Sequence, residues 1–277
     1  MMAKAVAGDA NPYIPKPVTI IAVKNESLET KTLRLKLYNW RLSFVPGQFV
    51  QLLLPGVGEA PFCIASSQSD QKHIDLTIIR RGILTTSVHY LRPGDAVGIR
   101  GPLGKPFPLD AFVGKDLLIV ATGIGIAALK SLIIYAIENR KKFNDVTLLY
   151  GARFLEDIVY RDELKEWEKS INVVITLSKA PPEWRGLRGR VTDHLDSLRL
   201  GKGTAAAVCG SPAVMSSIAD ALMKHGISSN DIYVSLERHM KCGIGKCARC
   251  LIPGGKHVCI DGPVFRVADI SIGAIGE

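Results

Sequence analysis

Residues 117–137 read LLIVATGIGIAALKSLIIYAI. By hydropathy alone this stretch is about as long as a membrane span, and the fold turns on whether it is one. Two features decide against it. Thr122-Gly123-Ile124-Gly125 interrupts the apolar run, and Lys130 follows. Leu117–Ala121 then reads as a short parallel strand buried on both faces. After the glycines, Leu129, Leu132, Ile133, Ala136 and Ile137 share one stripe, as in an amphipathic helix. A strand, a glycine turn and a helix open an α/β domain, and no membrane span is expected. At such a junction the phosphates of a dinucleotide can meet unpaired N–H groups and the positive end of the helix dipole. Gly123 and Gly125 are therefore nucleotide-binding candidates. The turn falls short of G-x-G-x-x-G, and on its own a G-x-G is as often only a tight turn.

Downstream, strand-like runs at Val146–Tyr150, Asn172–Leu177, Thr204–Cys209 and Asp231–Leu236 alternate with helical stretches, the signature of a doubly wound parallel sheet. Cys209-Gly210-Ser211-Pro212 closes one of these strands. Ser211 suits a helix N-cap and Pro212 the first helical position. Equally, Gly210 can admit a nicotinamide whose pocket Cys209 lines. Upstream, from Val18 to about Leu109, the pattern is β. Thr32–Leu37 alternates apolar and polar, and runs follow at Phe49–Leu54, His73–Ile79 and Ala96–Ile99. Turns at Pro46-Gly47, Pro55-Gly56 and Pro93-Gly94 punctuate them, which predicts a small antiparallel β-barrel. Residues 1–10 read as a disordered lead-in, and NPYIPKP at 11–17 is too proline-rich for regular structure.

The C-terminal segment carries Cys242, Cys247, Cys250 and Cys259 in the pattern C-x4-C-x2-C-x8-C, four of the chain's six cysteines. This is the spacing of a plant-type [2Fe–2S] cluster held by four thiolates. Gly243 and Gly245 allow the tight turns that aim N–H groups at sulfur. Structural zinc also takes four cysteines, but usually as two separate C-x2-4-C pairs, which fits this bunched triple poorly.

With 47% hydrophobic and 22% charged residues, the 277-residue chain has the composition of a globular protein long enough for two domains and an appendage. Its formal net charge is +9, yet no basic run exceeds Arg140–Lys142 and aromatics are 6%. Nucleic-acid binders cluster their basic residues, so no nucleic-acid partner is expected. A basic face toward an acidic electron carrier or partner subunit fits better. MMAKAVAGDANPY lacks the apolar centre of a secretory signal, and clustered thiols suit a reducing compartment; a cytoplasmic location is expected.

Taken together, PGQFVQL (46–52), APFCIASS (60–67), RPGDAVGIRGPLGKPF (92–107), ATGIGIAALKS (121–131), YGAR (150–153), CGSP (209–212) and LERHMKCGIGKCARC (236–250) resemble the ferredoxin–NADP reductase superfamily. More closely, they are similar to electron-transfer subunits with a C-terminal [2Fe–2S] domain. Those include the gamma subunits of cytoplasmic sulfhydrogenases, the dihydroorotate dehydrogenase electron-transfer subunit and the flavin subunit of anaerobic sulfite reductase. The resemblance implies a flavin-binding barrel (11–112), an NAD(P)-binding α/β domain (113–237) and a cluster domain (238–277). It implies FAD, with FMN as the alternative, a [2Fe–2S] cluster on the four cysteines, and NADP(H) or NAD(H). Catalytic oxidoreductase subunits of a hydrogenase-like complex would be the partners. Phe62, Cys63 and Ile64 would lie against the flavin, and Arg80, Gly82, Thr85 and Thr86 would hold its phosphate. Cys63 and Cys209 are the catalytic candidates. Arg153 and Ser178 would face the adenosine half, and Lys179, Arg185 and Arg190 could meet a 2′-phosphate, favouring NADP(H). The chain departs from the family's R-x-Y-S/T flavin motif: Ala60, Phe62 and Cys63 stand for Arg, Tyr and Ser. Ala128 also stands where many relatives have proline. A relay without flavin is the alternative those departures raise.

Overall fold

A computed structural model of the chain describes residues 11–198, 200–271, 273 and 275. The lead-in at 1–10 lies outside the described residues.

The first domain comprises strands β1 (Lys16–Asn25), β2 (Thr30–Lys36), β3 (Phe49–Leu54), β4 (Gly58–Cys63), β5 (His73–Ile79) and β6 (Ala96–Leu103), with helix α1 (Ile83–Val88) before β6. The strand order is β4-β3-β6-β1-β2-β5, every pair antiparallel. A bridge between Ile64 and Leu76 joins the two outer strands, so the sheet closes into a barrel. Closure removes the exposed edges that would otherwise need covering. Period-two alternation in β2 turns Leu33 and Leu35 inward, where they meet Ile20, Val50, Leu52 and Ile99. The APFC segment, outside the strand-like runs of the sequence, belongs to strand β4, which runs from Gly58 opposite Leu54 to Cys63 opposite Phe49.

The second domain follows as β7 (Asp116–Thr122), α2 (Ile126–Glu138), β8 (Val146–Ala152), α3 (Arg161–Trp167), β9 (Asn172–Leu177), β10 (Leu187–Arg188), β11 (Thr204–Cys209), α4 (Pro212–Lys224) and β12 (Ile232–Ser235). The remaining chain forms a small hairpin, β13 (Leu251–Ile252) and β14 (Lys256–His257), and then β15 (Val264–Arg266). The sheet order is β10-β9-β8-β7-β11-β12-β15. All pairs are parallel except that β15 returns antiparallel to β12. Strand order reverses between β7 and β11, and a crevice at the carboxyl ends of such strands is where ligands of open α/β sheets bind. On α2, Leu129, Leu132, Ile133 and Ala136 are fully buried, as the stripe in the sequence requires.

The C-terminal segment packs on this sheet: Met240, Cys250, Ile252, Val258, Cys259 and Phe265 share one core with Val120, Val208 and Leu222. A polar seam joins barrel and sheet. Tyr160 donates its main-chain N–H to Glu26 (3.2 Å) and its hydroxyl to Thr77. Glu163 pairs with Lys24 (2.8 Å) and Lys130 (3.4 Å). Among the described residues, no helix is long and apolar enough to cross a membrane.

Candidate functional site

The crevice at the strand-order reversal opens into a cavity of about 1040 Å3 walled by both domains. From the barrel come Phe62 and Cys63 of β4, Thr77 of β5, and Arg81. From the sheet come the Gly123–Gly125 turn, Arg153, Ser178, Arg190 and the Cys209-Gly210 strand end. These two loops touch. A Cβ on Gly125 would stand 2.5 Å from the Cys209 carbonyl oxygen, and one on Gly210 would stand 2.0 Å from Thr122 Oγ1. At Gly125 the obstacle is backbone, so only glycine permits the approach, and at Gly210 the Thr122 side chain would have to turn away. Helices α2 and α4, 13 residues each, begin on this cavity, and neither has a side chain capping its first turn. Ser211 is the N-cap residue and Pro212 the first helical position of α4, but the Ser211 hydroxyl makes no capping bond. Two sets of helix N–H groups thus face one cavity, as the phosphates of a dinucleotide require.

Cys63 and Cys209 meet across the cleft, and Glu237, at the end of the segment after β12, joins them. Burial, reinforced by the Glu237 carboxylate, pushes the Cys63 thiol up to about 12. Burial pushes Cys209 higher still, with Cys63 and Glu237 adding to it, and its S–H points to the Ser235 carbonyl at 3.5 Å. Both are neutral S–H groups at physiological pH, suited to lining and weak donation but not to nucleophilic attack.

Other sequence candidates lie elsewhere. Ile64 is in the barrel core, bridged to Leu76. Arg80 is turned away and held by Glu29 in a two-pronged pair at 2.7 and 2.6 Å. Successive residues leaving a strand point to opposite sides, so it is Arg81 that reaches the cavity. Gly82, Thr85 and Thr86 do not line it. The stretch expected to hold the phosphate begins α1, and Thr85 Oγ1 there accepts the N–H groups of Arg81 and Gly82, each at 2.9 Å. Neither Arg185 nor Lys179 is among the lining residues, whereas Arg190 is. Arg81 and Glu237 line the cavity and are not among the residues expected from the sequence. The period-two rule could have selected Arg81; nothing local marks Glu237.

Cys242, Cys247 and Cys250 sit on a loop of left-handed turns, with φ of +74° at Gly243, +77° at Gly245 and +54° at Ala248, and Cys259 follows the β13–β14 hairpin in a short helix, Val258–Asp261. Gly245 N–H donates to Cys259 Sγ (3.2 Å), and the N–H groups of Lys246 and Cys247 donate to Cys242 Sγ (3.3 and 3.4 Å). Burial disfavours the Cys242 thiolate, but N–H donors from Ile244, Cys247 and Lys246 outweigh it and bring the thiol down to about 6. The thiols stand in two pairs, Cys242 with Cys247 and Cys250 with Cys259. Two thiol pairs and the N–H groups aimed at Cys242 and Cys259 fit a two-iron cluster, although burial and the neighbouring Cys250 thiol push Cys259 up to about 12.

Three family models divide the chain: an oxidoreductase FAD-binding domain over residues 17–107, an oxidoreductase NAD-binding domain over 119–220, and the iron–sulfur cluster binding domain of dihydroorotate dehydrogenase B over 237–271. The chain is 40% identical to sulfhydrogenase 1 subunit gamma of Pyrococcus furiosus, covering 94% of this chain and 93% of that one. The chain belongs to this family of electron-transfer subunits. A second member, a probable dihydroorotate dehydrogenase B (NAD+) electron transfer subunit of Methanocella arvoryzae, is 33% identical over 91% of this chain and 90% of its own. In fold, the chain resembles an NADH-dependent reduced ferredoxin–NADP oxidoreductase (TM-score 0.77, 23% identity, 93% and 91% covered). It also resembles a ferredoxin–NADP+ reductase from Neisseria gonorrhoeae solved with FAD and NADP (TM-score 0.70, 21% identity, 79% and 97% covered). This family member is an oxidoreductase with FAD-binding, NAD-binding and iron–sulfur domains. The cavity fits the first two groups: β4 offers an aromatic side and a thiol, and the two uncapped helices and Arg81 offer a phosphate side despite Ala60.

Proposed function

We propose that the chain is the NAD(P)H-linked electron-transfer subunit of a cytoplasmic, hydrogenase-like complex, built as three units at 11–112, 113–237 and 238–277. The last unit lends β15 to the sheet of the second. One observation carries this reading. Phe49 of β3 lines the cavity, while Gln51, two residues along the same strand, donates from Nε2 to the Lys241 carbonyl beside Cys242 (3.3 Å). Two residues of strand span roughly 7 Å, so the nucleotide cleft and the cysteine loop lie on one short structural path.

A flavin in the cleft would supply the step between two-electron hydride chemistry and one-electron transfer, which neither nicotinamide nor a cluster supplies alone. The residues divide the remaining work. Phe62 packs against the ring, and neutral Cys63 offers it an S–H. Gly123, Gly125 and Gly210 let backbone come close to the dinucleotide, with Cys209 lining the nicotinamide end. Glu237 lines the same cavity and its charge acts on both thiols. Arg81 supplies the charge that Ala60 lacks. Arg153, Ser178 and Arg190 form the adenosine end, and their two guanidinium groups favour NADP(H) over NAD(H). Cys242, Cys247, Cys250 and Cys259 hold a [2Fe–2S] cluster.

The sulfhydrogenase relative, more similar than the dihydroorotate dehydrogenase subunits, favours hydrogenase-type catalytic subunits as partners. The test is to assay iron, acid-labile sulfide and flavin on one purified sample and titrate it with NADPH and NADH. Two irons, two sulfides and one flavin per chain are expected. Zinc without sulfide would overturn the cluster, and failure to bind either flavin on reconstitution would overturn the converter role.

A further inference from the structure

The cysteine loop is anchored on two sides. Cys250 and Cys259 are buried in the core of the nucleotide domain, whereas Lys241–Gly243 lie flush on strands β3 and β6 of the barrel. A Cβ on Gly243 would stand 2.9 Å from the Leu103 side chain and 3.2 Å from Gln51 Nε2, so the loop main chain rests directly on these two barrel side chains. At the centre of this contact is Arg100 of β6, opposite Gln51 in the strand register. Its side chain is 6% exposed. Nε and Nη2 donate to the two carboxylate oxygens of Glu59 at 2.6 and 2.7 Å. Nη1 donates to the Pro12 carbonyl at 2.7 Å, and Nη2 also donates to the Cys242 carbonyl at 3.1 Å. One buried guanidinium therefore ties together the N-terminal segment, β4 and the main chain of a cluster cysteine.

We propose that Arg100 and Glu59 form a charge pair that positions the Cys242 side of the cluster against the flavin barrel and sets the cluster's reduction potential. The proposal rests on the cluster reading of the four cysteines and extends it to residues outside their loop. Cluster potentials respond to net charge and hydrogen bonding around the ligands. Here a cation is at hydrogen-bond distance from a ligand's main chain, and Glu59 balances it. Removing Glu59 leaves the buried Arg100 guanidinium uncompensated, and removing Arg100 leaves the part-buried Glu59 carboxylate without its cation; the two residual charges have opposite sign. Extra positive charge favours the reduced, more negative cluster; extra negative charge disfavours it. Loosening of the loop alone would move both variants in the same direction.

The experiment is a redox titration of the full-length chain, with the reduced cluster read by electron paramagnetic resonance, for Arg100→Gln, Glu59→Gln, their double variant and Arg100→Lys. Arg100→Gln should make cluster reduction about tenfold less favourable, equivalent to about 59 mV for a one-electron couple. Glu59→Gln should make it more favourable by a similar factor. The double variant should return to within about threefold of wild type, since it leaves neither charge. Arg100→Lys should keep the potential but broaden or shift the resonance as the fork to Glu59 and Cys242 is lost. If Arg100→Gln does not retain the cluster, Glu59→Gln and Arg100→Lys still give the sign and the rescue. Single-variant shifts of the same sign, or none with sulfide content intact, would overturn the proposal. Wild-type chain without acid-labile sulfide would overturn the cluster reading and the proposal with it.

Discussion

The six cysteines occupy two environments that differ in how they are made. Cys63 and Cys209 come from different domains and meet in an apolar cleft, where burial and a neighbouring carboxylate keep them protonated. The C-terminal four come from one short segment whose left-handed turns aim N–H groups at sulfur, and there Cys242 is driven toward the thiolate. The electrostatic contrast is between Cys242 and the cleft pair: main-chain donors outweigh burial at Cys242, whereas burial still pushes Cys259, its partner in the segment, up to about 12. The first environment depends on tertiary packing, the second on local loop geometry.

The sharpest way to break this contrast is Cys242→Ser. It should abolish the cluster, with complete loss of acid-labile sulfide and of its visible absorption, while leaving flavin content unchanged. Cys63→Ala should do the reverse, keeping the cluster and slowing reduction by NAD(P)H. Retention of sulfide in Cys242→Ser would show that the loop is not the ligand set.

Gly125→Ala acts on the cleft alone. Its Cβ would meet the Cys209 carbonyl at 2.5 Å, where backbone on both sides must shift. A stability loss of about 1–3 kcal/mol is expected, together with a rise of about tenfold in KM for the nucleotide, each 1.4 kcal/mol of lost binding being a factor of ten. Iron and sulfide should not change. Steady-state kinetics and a thermal melt would measure both effects.

The cleft thiols can be told from the loop by pH. With the cluster in place, Cys63 should resist iodoacetamide through pH 9, because a thiol raised to about 12 is neutral there. The Glu237 carboxylate helps to raise it, so Glu237→Gln should shift the onset of alkylation to lower pH. Peptide mass spectrometry across a pH series would detect this, and an unchanged onset would remove Glu237 from the cleft's electrostatics.

The smallest effect tests the seam that brings the two halves of the cleft together. Burial opposes ionisation of Glu163, but the Lys24 hydrogen bond and the Lys130 charge outweigh it and hold its carboxyl below the ordinary 4.5. A depressed folded-state pKa contributes stability above the unfolded value and loses it as pH falls through the folded one. Glu163→Gln should therefore cost about 0.5–1 kcal/mol at pH 7, allowing for solvent screening of a half-buried pair. That difference in urea midpoint should disappear as pH drops below 4.5.

This division between local and tertiary determinants also explains what could be read from the residues. The barrel, the parallel sheet, the Gly123–Gly125 turn and the cysteine loop all carry their signals in short spans of period, punctuation or spacing. Strand β4 hid because GEAPFC has no alternation and contains proline; its pairing with β3 makes it a strand. Strand β15 hid because three residues after Gly-Pro carry no periodic signal, and its partner β12 defines it. Arg80 and Arg81 carry the same charge, and only the period-two facing of the chain leaving β5, which puts Ile79 and Arg81 on the cavity, separates them. The Glu59–Arg100 pair joins residues 41 apart on strands that both flank β3, and no local pattern announces it.

The most direct test of the central claim is anaerobic reduction of the purified chain by NADPH, followed simultaneously by flavin absorbance and electron paramagnetic resonance. Conversion of hydride to single electrons requires the flavin band to bleach and the signal of a reduced [2Fe–2S] cluster to appear in the same sample. A flavin that bleaches while an intact cluster stays oxidised, even though dithionite reduces that cluster, would contradict it.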